Sequence, residues 1–281
     1  MEKNAKKLPP TLVDFHVHLF PDKGFDAIWN AFENVYQCPV LHHLYHRECV
    51  AYLRERSVGP MVYSNYAHKK GVARPMNDWN KTLLDSTEEV YCFAAFHPDD
   101  DGALEYAADI LSHPKVLGVK LHFLIQPFYP NDRRLYPLYD LVMERKKRLL
   151  LHIGTGPIGS AFTGVAHFRN VLDDFPDLPA IIPHMGGYEF REFMDLLDGH
   201  PALYLDTSYS FWPDTPGFNL DNAFLEDHRR RILYGSDFPN IILPREGEIA
   251  GLLSRNLSQK FYDLVFYENG RRLIDEITKN R

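Results

Sequence analysis

Cysteine is scarce in this chain: Cys38, Cys49 and Cys92 are the only three in 281 residues. Their odd number and wide spacing exclude a disulfide framework and a cysteine-based zinc module, and they fit a reducing compartment. Long apolar runs are absent as well, none reaching the roughly 18 residues of a membrane span. Basic charge is not in excess, because 31 Lys and Arg face 38 Asp and Glu for a net charge of −7. That balance argues against a phosphate backbone as partner. Met1 to Pro10 is polar and lysine-containing and lacks the apolar centre of a secretory signal. No repeat and no low-complexity linker divides the chain. These absences leave a cytoplasmic, globular, single domain over residues 1–281, with a core from about 12 to 274 and no nucleic-acid or membrane partner. A chain of this length buries a sufficient core without disulfides or metal. What it has in abundance is histidine, fourteen in all.

Short β-branched runs recur along the chain, each followed by a stretch of helical period. They are 12–20, 60–64, 90–96, 116–123, 149–153, 180–184, 202–207 and 231–234. Several are continuously apolar, as expected of parallel strands covered on both faces. Helices are expected from Asp99–Asp101 through Ile110, from Asp132 onward, over 161–175, over 188–197, and from a Ser258 cap through Ile277. Eight βα units in one undivided chain predict a single (β/α)8 TIM barrel; an open doubly wound sheet is the alternative.

Catalytic groups of such barrels sit at the C-terminal strand ends. Here those ends carry His16 and His18, Lys120 and His122, His152, His184 and Asp237. Strand side chains alternate, so His16 and His18 share a face, as do Lys120 and His122. Imidazoles and a carboxylate converging at one barrel mouth suit a divalent ion that keeps a position open for water. A single strand histidine is more often a satisfied core residue. A set of this size is another matter, since burying so many unpaired polar groups would be costly.

Other signals carry less. Gly154 to Gly159 fits G-x-G-x-x-G, yet Pro157 removes an N–H that a phosphate loop would use, and a plain glycine-rich turn is the simpler reading. Ser236 lacks the following glycine of a nucleophile elbow. His42, His43 and His46 are expected on one helix as a packed or solvated face. His97 is expected to cap a loop or line the pocket. Asp14 is expected to orient a histidine ring or to make a structural hydrogen bond. The long first connection, 21–57, and the loop 65–79, with Arg74 and Asn77, are expected to form the lid and specificity pocket.

Asp14-x-His16-x-His18, Gly118-Val-Lys-Leu-His122, Leu151-His-Ile-Gly154, Pro183-His-Met-Gly-Gly187, Leu205-Asp-Thr207 and Tyr234-Gly-Ser-Asp237-Phe-Pro239 resemble, in order, the motifs of the amidohydrolase-related family. The closing segment Glu268 to Leu273 is similar as well, so the resemblance runs from about Leu12 to Ile274. It implies one divalent metal, commonly Zn2+, held by His16, His18, His152 and Asp237. It also implies His184 as the residue activating water, with Asp237 able both to ligate and to carry a proton. Lys120 is read as a cation for a substrate carboxylate or oxyanion, with His122 beside it and Arg74 as a further substrate contact. A carboxylated Lys120 bridging a second metal is the other reading. The function implied is metal-dependent hydrolysis of an amide, ester or lactone in a small, carboxylate-bearing substrate. The alternative is metal-dependent, non-oxidative decarboxylation of an aromatic or unsaturated acid, and a homodimer is left open.

Overall fold

A computed structural model describes residues 6–279 except 36, 157, 214, 216–218, 241 and 242. Eight parallel strands follow one another in sequence order: β1 (Leu12–His18), β2 (Val58–Ser64), β3 (Val90–Ala95), β4 (Val116–His122), β5 (Arg148–His152), β6 (Ala180–Ile182), β7 (Tyr204–Asp206) and β8 (Ile232–Leu233). The last strand meets the first through the Phe15 N–H to the Tyr234 carbonyl and the His18 N–H to the Phe238 carbonyl, both 2.8 Å. Parallel strands need crossovers, and helices supply them. They are α1 (Asp22–Asn30), α2 (His46–Glu55), α3 (Ala73–Ser86), α4 (Ala103–Leu111), α5 (Tyr136–Glu144), α6 (Val165–Asp174), α7 (Phe190–Gly199), α8 (Asn222–His228) and α9 (Arg245–Ser254). The fold is the expected (β/α)8 barrel.

The core has two layers. Val13, Phe15, Val62, Phe93, Leu117, Leu150, Ile181, Tyr204 and Leu233, from all eight strands, fill the barrel interior. The larger layer packs strands against helices. Register shifts in β1 between Asp14 and Val17 break the strict alternation. Val13 and Phe15 therefore face the interior low in the barrel, while His16 and His18 face it at the mouth.

The expected C-terminal helix runs unbroken behind Ser258, but with a π-helical stretch inside it: α10 (Gln259–Asp263), the π-turn (Leu264–Glu268) and α11 (Asn269–Lys279). The cause is tertiary, since the Val265 carbonyl is drawn to the Tyr234 N–H beside β8 at 3.0 Å. The Ser258 cap is present, its Oγ accepting the Phe261 N–H at 3.0 Å. α11 then lays Leu273, Ile274 and Ile277 on the interior layer, at the end away from the histidines.

His42 and His43 are likewise not helical; α2 opens at His46 behind Tyr45, whose N–H is capped by Glu48 at 2.9 Å. The G-x-G-x-x-G segment also has a structural explanation, with Pro157 outside the described residues. A Cβ at Gly154 would lie 2.5 Å from the Gly186 carbonyl, and one at Gly187 would lie 2.3 Å from the Gly156 nitrogen. These glycines let the loops after β5 and β6 lie backbone against backbone, which is what the pattern serves here.

Gly118 fixes the neighbouring pair. A Cβ there would sit 1.6 Å from the Arg148 carbonyl oxygen, so any side chain drives β4 and β5 apart. Gly118→Ala is expected to destabilise the protein by about 3 kcal/mol or more, the upper range for overpacking. Urea denaturation measures this, and an unchanged midpoint would contradict the close approach. Among the described residues no helix is long and apolar enough to cross a membrane.

Candidate active site

The site is built by strand ends. β1 delivers His16 and His18, both buried, and Asp237 follows β8 in a left-handed conformation at φ 60°. Its N–H is held by the His16 carbonyl at 2.8 Å. The three side chains meet. His16 Nε2 lies 3.2 Å from His18 Nε2 and 3.4 Å from Asp237 Oδ1, and His18 Nε2 lies 2.9 Å from the same oxygen.

The other ring nitrogens are committed elsewhere. His18 Nδ1 faces the Ser64 carbonyl at 3.2 Å, which can only accept. His16 Nδ1 faces Asp206 Oδ2 at 2.9 Å. The protons therefore sit on Nδ1, and two Nε2 lone pairs and a carboxylate oxygen aim at one point. Burial drives the His16 pKa down to about 4 despite Asp206 beside it, so its ring is neutral at pH 7. For Asp237, burial alone would raise the pKa, but the hydrogen bond from His18 and the neighbouring histidines hold it below the usual carboxylate range. Donor atoms on a tetrahedral ion with bonds of about 2.1 Å stand about 3.4 Å apart, so this donor set fits a divalent cation.

Asp206, at the end of β7, is the residue sequence reasoning passed over. Fully buried, it takes His16 Nδ1 on one oxygen, and on the other the His184 N–H at 3.1 Å, the Ser208 N–H at 3.1 Å and the Ser208 hydroxyl at 2.5 Å. Its carboxyl pKa is kept low because the interactions with His16, His184 and Ser208 outweigh burial. The available signal was positional: an aspartate closing an apolar strand, as Asp237 does after β8.

His184 follows β6, where Pro183 stops the strand and His184 itself adopts φ 58°. Its Nδ1 faces the Ser208 carbonyl at 3.2 Å and the Ser208 hydroxyl at 2.9 Å. Its ring lies 5.3 Å from that of His16 and 4.8 Å from that of His152. His152 stacks on His122 at 4.0 Å, as their pairing in register requires. His152 reaches the cluster through His184 and is not in the convergent trio of donor atoms.

Lys120 is fully buried. Its Nζ, like His122 Nδ1 and His152 Nε2, has no hydrogen-bond partner among the described residues. Burial draws the Lys120 pKa down to about 8 against the pull of Asp206 and Asp237. Burial first, and then the neighbouring cation and rings, hold His122 and His152 well below the ordinary imidazole range. Unpaired buried polar atoms are costly, and a ligand group would satisfy these.

Arg74 and Asn77 depart from expectation, while Asp14 and His97 each take one of their two expected roles. Arg74 is not brought to the cluster; it opens α3 on the surface with its guanidinium over the Tyr106 ring. Asn77 is buried on α3 and bonds the Ala95 backbone in both directions. Asp14 touches no histidine ring; its Oδ1 accepts the N–H of His16 at 3.2 Å and of Ser236 at 3.0 Å, tying β1 to the segment after β8. His97 caps its own loop, its Nδ1 accepting the Asp99 N–H at 3.3 Å.

The mouth of the barrel thus gathers two imidazole nitrogens and a carboxylate oxygen around one point, a donor set that fits a divalent cation. The sequence profile of the amidohydrolase family matches residues 13–275, and the chain belongs to that family. None of the curated proteins compared with it matches. Among solved structures, it is similar to 5-carboxyvanillate decarboxylase from Sphingomonas paucimobilis, with TM-score 0.68 and 14% identity over 95% of this chain and 99% of that one. A probable 2-pyrone-4,6-dicarboxylic acid hydrolase from Acinetobacter baumannii gives TM-score 0.65 and 14% identity over 94% and 99%. The 5-carboxyvanillate decarboxylase of Novosphingobium aromaticivorans, solved with manganese, gives 0.67 and 12% over 98% and 100%.

Proposed function

We propose that the protein is a metal-dependent hydrolase that cleaves an amide, ester or lactone bond in a small, carboxylate-bearing substrate. The observation that carries this reading is the convergence of His16 Nε2, His18 Nε2 and Asp237 Oδ1, three acceptors within 3.4 Å of one another. These residues would hold a divalent ion, Zn2+ in this proposal, with His152 as the fourth donor. Bound there, the ion supplies Lewis acidity and makes water acidic enough to ionise near pH 7.

The chain's own groups do the rest. Asp237 is ionised, and its side chain remains 16% exposed, so it can take a proton from the attacking water. His184, with its proton on Nδ1, presents Nε2 as a second base or as the donor to the leaving group. Lys120 and His122 lie on β4 with unpartnered nitrogens and can meet a substrate carboxylate or the oxyanion that develops.

A second reading has support of its own. The same unpartnered nitrogens could hold a carboxylate that is lost as carbon dioxide, and two of the similar structures above are decarboxylases. The metal-loaded enzyme is therefore to be assayed on hydroxylated benzoic acids and on carboxylated lactones and esters, following carbon dioxide and acid release together. Hydrolytic acid release without carbon dioxide is expected. Carbon dioxide without hydrolysis would replace the first reading with the second.

A further inference from the structure

α9 enters the rim of the barrel with two buried charged residues three positions apart. Arg245 reaches the Tyr234 hydroxyl beside β8 at 3.0 Å. Glu248 reaches the turn after β7. Its Oε1 accepts the Ser210 N–H at 2.7 Å and the Phe211 N–H at 3.3 Å, and the Tyr209 N–H is drawn to the same carboxyl. Trp212 lies flush on the helix, since a Cβ at Gly247 would come within 2.3 Å of its ring. Burial pushes the Glu248 pKa up to about 8 against these backbone hydrogen bonds, and either protonation state keeps an acceptor oxygen for them.

The turn so held is an unusual one. Tyr209 sits at φ 58°, and the Ser210 N–H also closes on the Thr207 carbonyl at 3.0 Å. This conformation sets the direction of the Ser208 carbonyl, which lies 3.2 Å from His184 Nδ1 and accepts the Ser210 hydroxyl at 3.1 Å. A carbonyl only accepts, so it selects the form of His184 protonated on Nδ1 and leaves Nε2 basic. Turning the Ser208–Tyr209 peptide would take away one of the two acceptors on Nδ1 and leave only the Ser208 hydroxyl, whose proton is given to Asp206.

We propose that Glu248 is a positioning residue that fixes the tautomer of His184 through the turn 207–211. The inference rests on His184 acting as the base, and it is tested on the ring itself, without turnover. The zinc-loaded full chain, labelled with [15N]histidine, is read by long-range 1H–15N correlation, the His184 signals being assigned by their loss in His184→Gln. The wild type is expected to show one neutral tautomer with the proton on Nδ1. Glu248→Met keeps the volume and removes the acceptor. It is expected to lower the ratio of Nδ1–H to Nε2–H by about tenfold, the worth of roughly one hydrogen bond. Glu248→Gln retains an acceptor oxygen and is expected to keep the wild-type pattern. Zinc content is expected to be equal in all three.

A wild-type ring protonated on Nε2, or a Met variant with the wild-type pattern, would overturn the proposal. Should the Met variant not fold, Glu248→Asp withdraws the same carboxyl by one methylene and reads the same shift; its retention of the wild-type pattern counts against the proposal equally. Failure of the protein to take up zinc would instead strike the functional reading, and the tautomer would still be measurable.

Discussion

Replacing Asp237 by alanine is expected to take bound metal from about one equivalent per chain to none and to lower activity by about 10⁴-fold or more. The loss combines two roles that the proposed function assigns to one side chain, since Asp237 contributes an oxygen to the convergent trio and would serve there as the base. The two can be separated. Asp237→Asn keeps an oxygen near His18 but cannot accept a proton, so it is expected to retain part of the metal while activity falls by about 10² to 10⁴. His16→Ala is expected to follow Asp237→Ala in both readouts. Elemental analysis of protein purified without chelator, beside turnover on whichever substrate the panel yields, makes the check. Full metal and activity in either alanine variant would remove the assignment. Two equivalents in the wild type would instead revive a carboxylated Lys120 as a bridge.

Asp206→Ala is expected to weaken metal binding by about 10- to 100-fold, the usual cost of removing a carboxylate behind a ligating histidine. Without it, His16 Nδ1 keeps only the Ser208 hydroxyl, and the His184 and Ser208 N–H groups lose their acceptor. Stability is expected to fall by about 3 kcal/mol, as when one partner of a buried polar pair is deleted. Competition with a chromophoric chelator and urea denaturation measure the two effects. There is also a pH signature. The pKa of Asp206 is depressed on folding from an ordinary 3.8, so the stability it brings is complete above that value and is lost as the pH falls toward its folded pKa. Asp206→Asn is expected to flatten that part of the acid limb; an unaltered limb would show that the carboxylate contributes nothing through ionisation.

The barrel was legible because its strands are short, apolar and evenly spaced, and because a polar residue marks the end of most of them. His18, His122 and His152 close their strands with His16 and Lys120 two positions before, and His184 and Asp237 lie just beyond β6 and β8. What escaped was set by distant contacts. The final helix widens into a π-turn at Leu264, where the Tyr234 N–H beside β8 claims the Val265 carbonyl. Arg245 and Glu248 carry no mark in the sequence, and only the tertiary fold shows them buried. Asp206 was visible, but its weight comes from meeting groups on β1 and after β6, far away in sequence. Arg74 failed for the opposite reason, as a loop position said nothing of which way the chain would turn into α3.

The glycine contacts between the loops after β5 and β6 bear on how this scaffold can diversify. Where Gly154 meets Gly186 and Gly156 meets Gly187 there is no room for even a methyl group, so neither loop can lengthen or change shape at its root without displacing the other. At these glycines the two loops are closely packed beside His152 and His184. New substrate preferences are expected to arise more readily on the opposite quarter, where the connection from β1 to β2 is long and carries Trp29, His43 and Tyr45 ring against ring. Directed evolution for altered specificity should therefore place its library there and leave the glycines untouched.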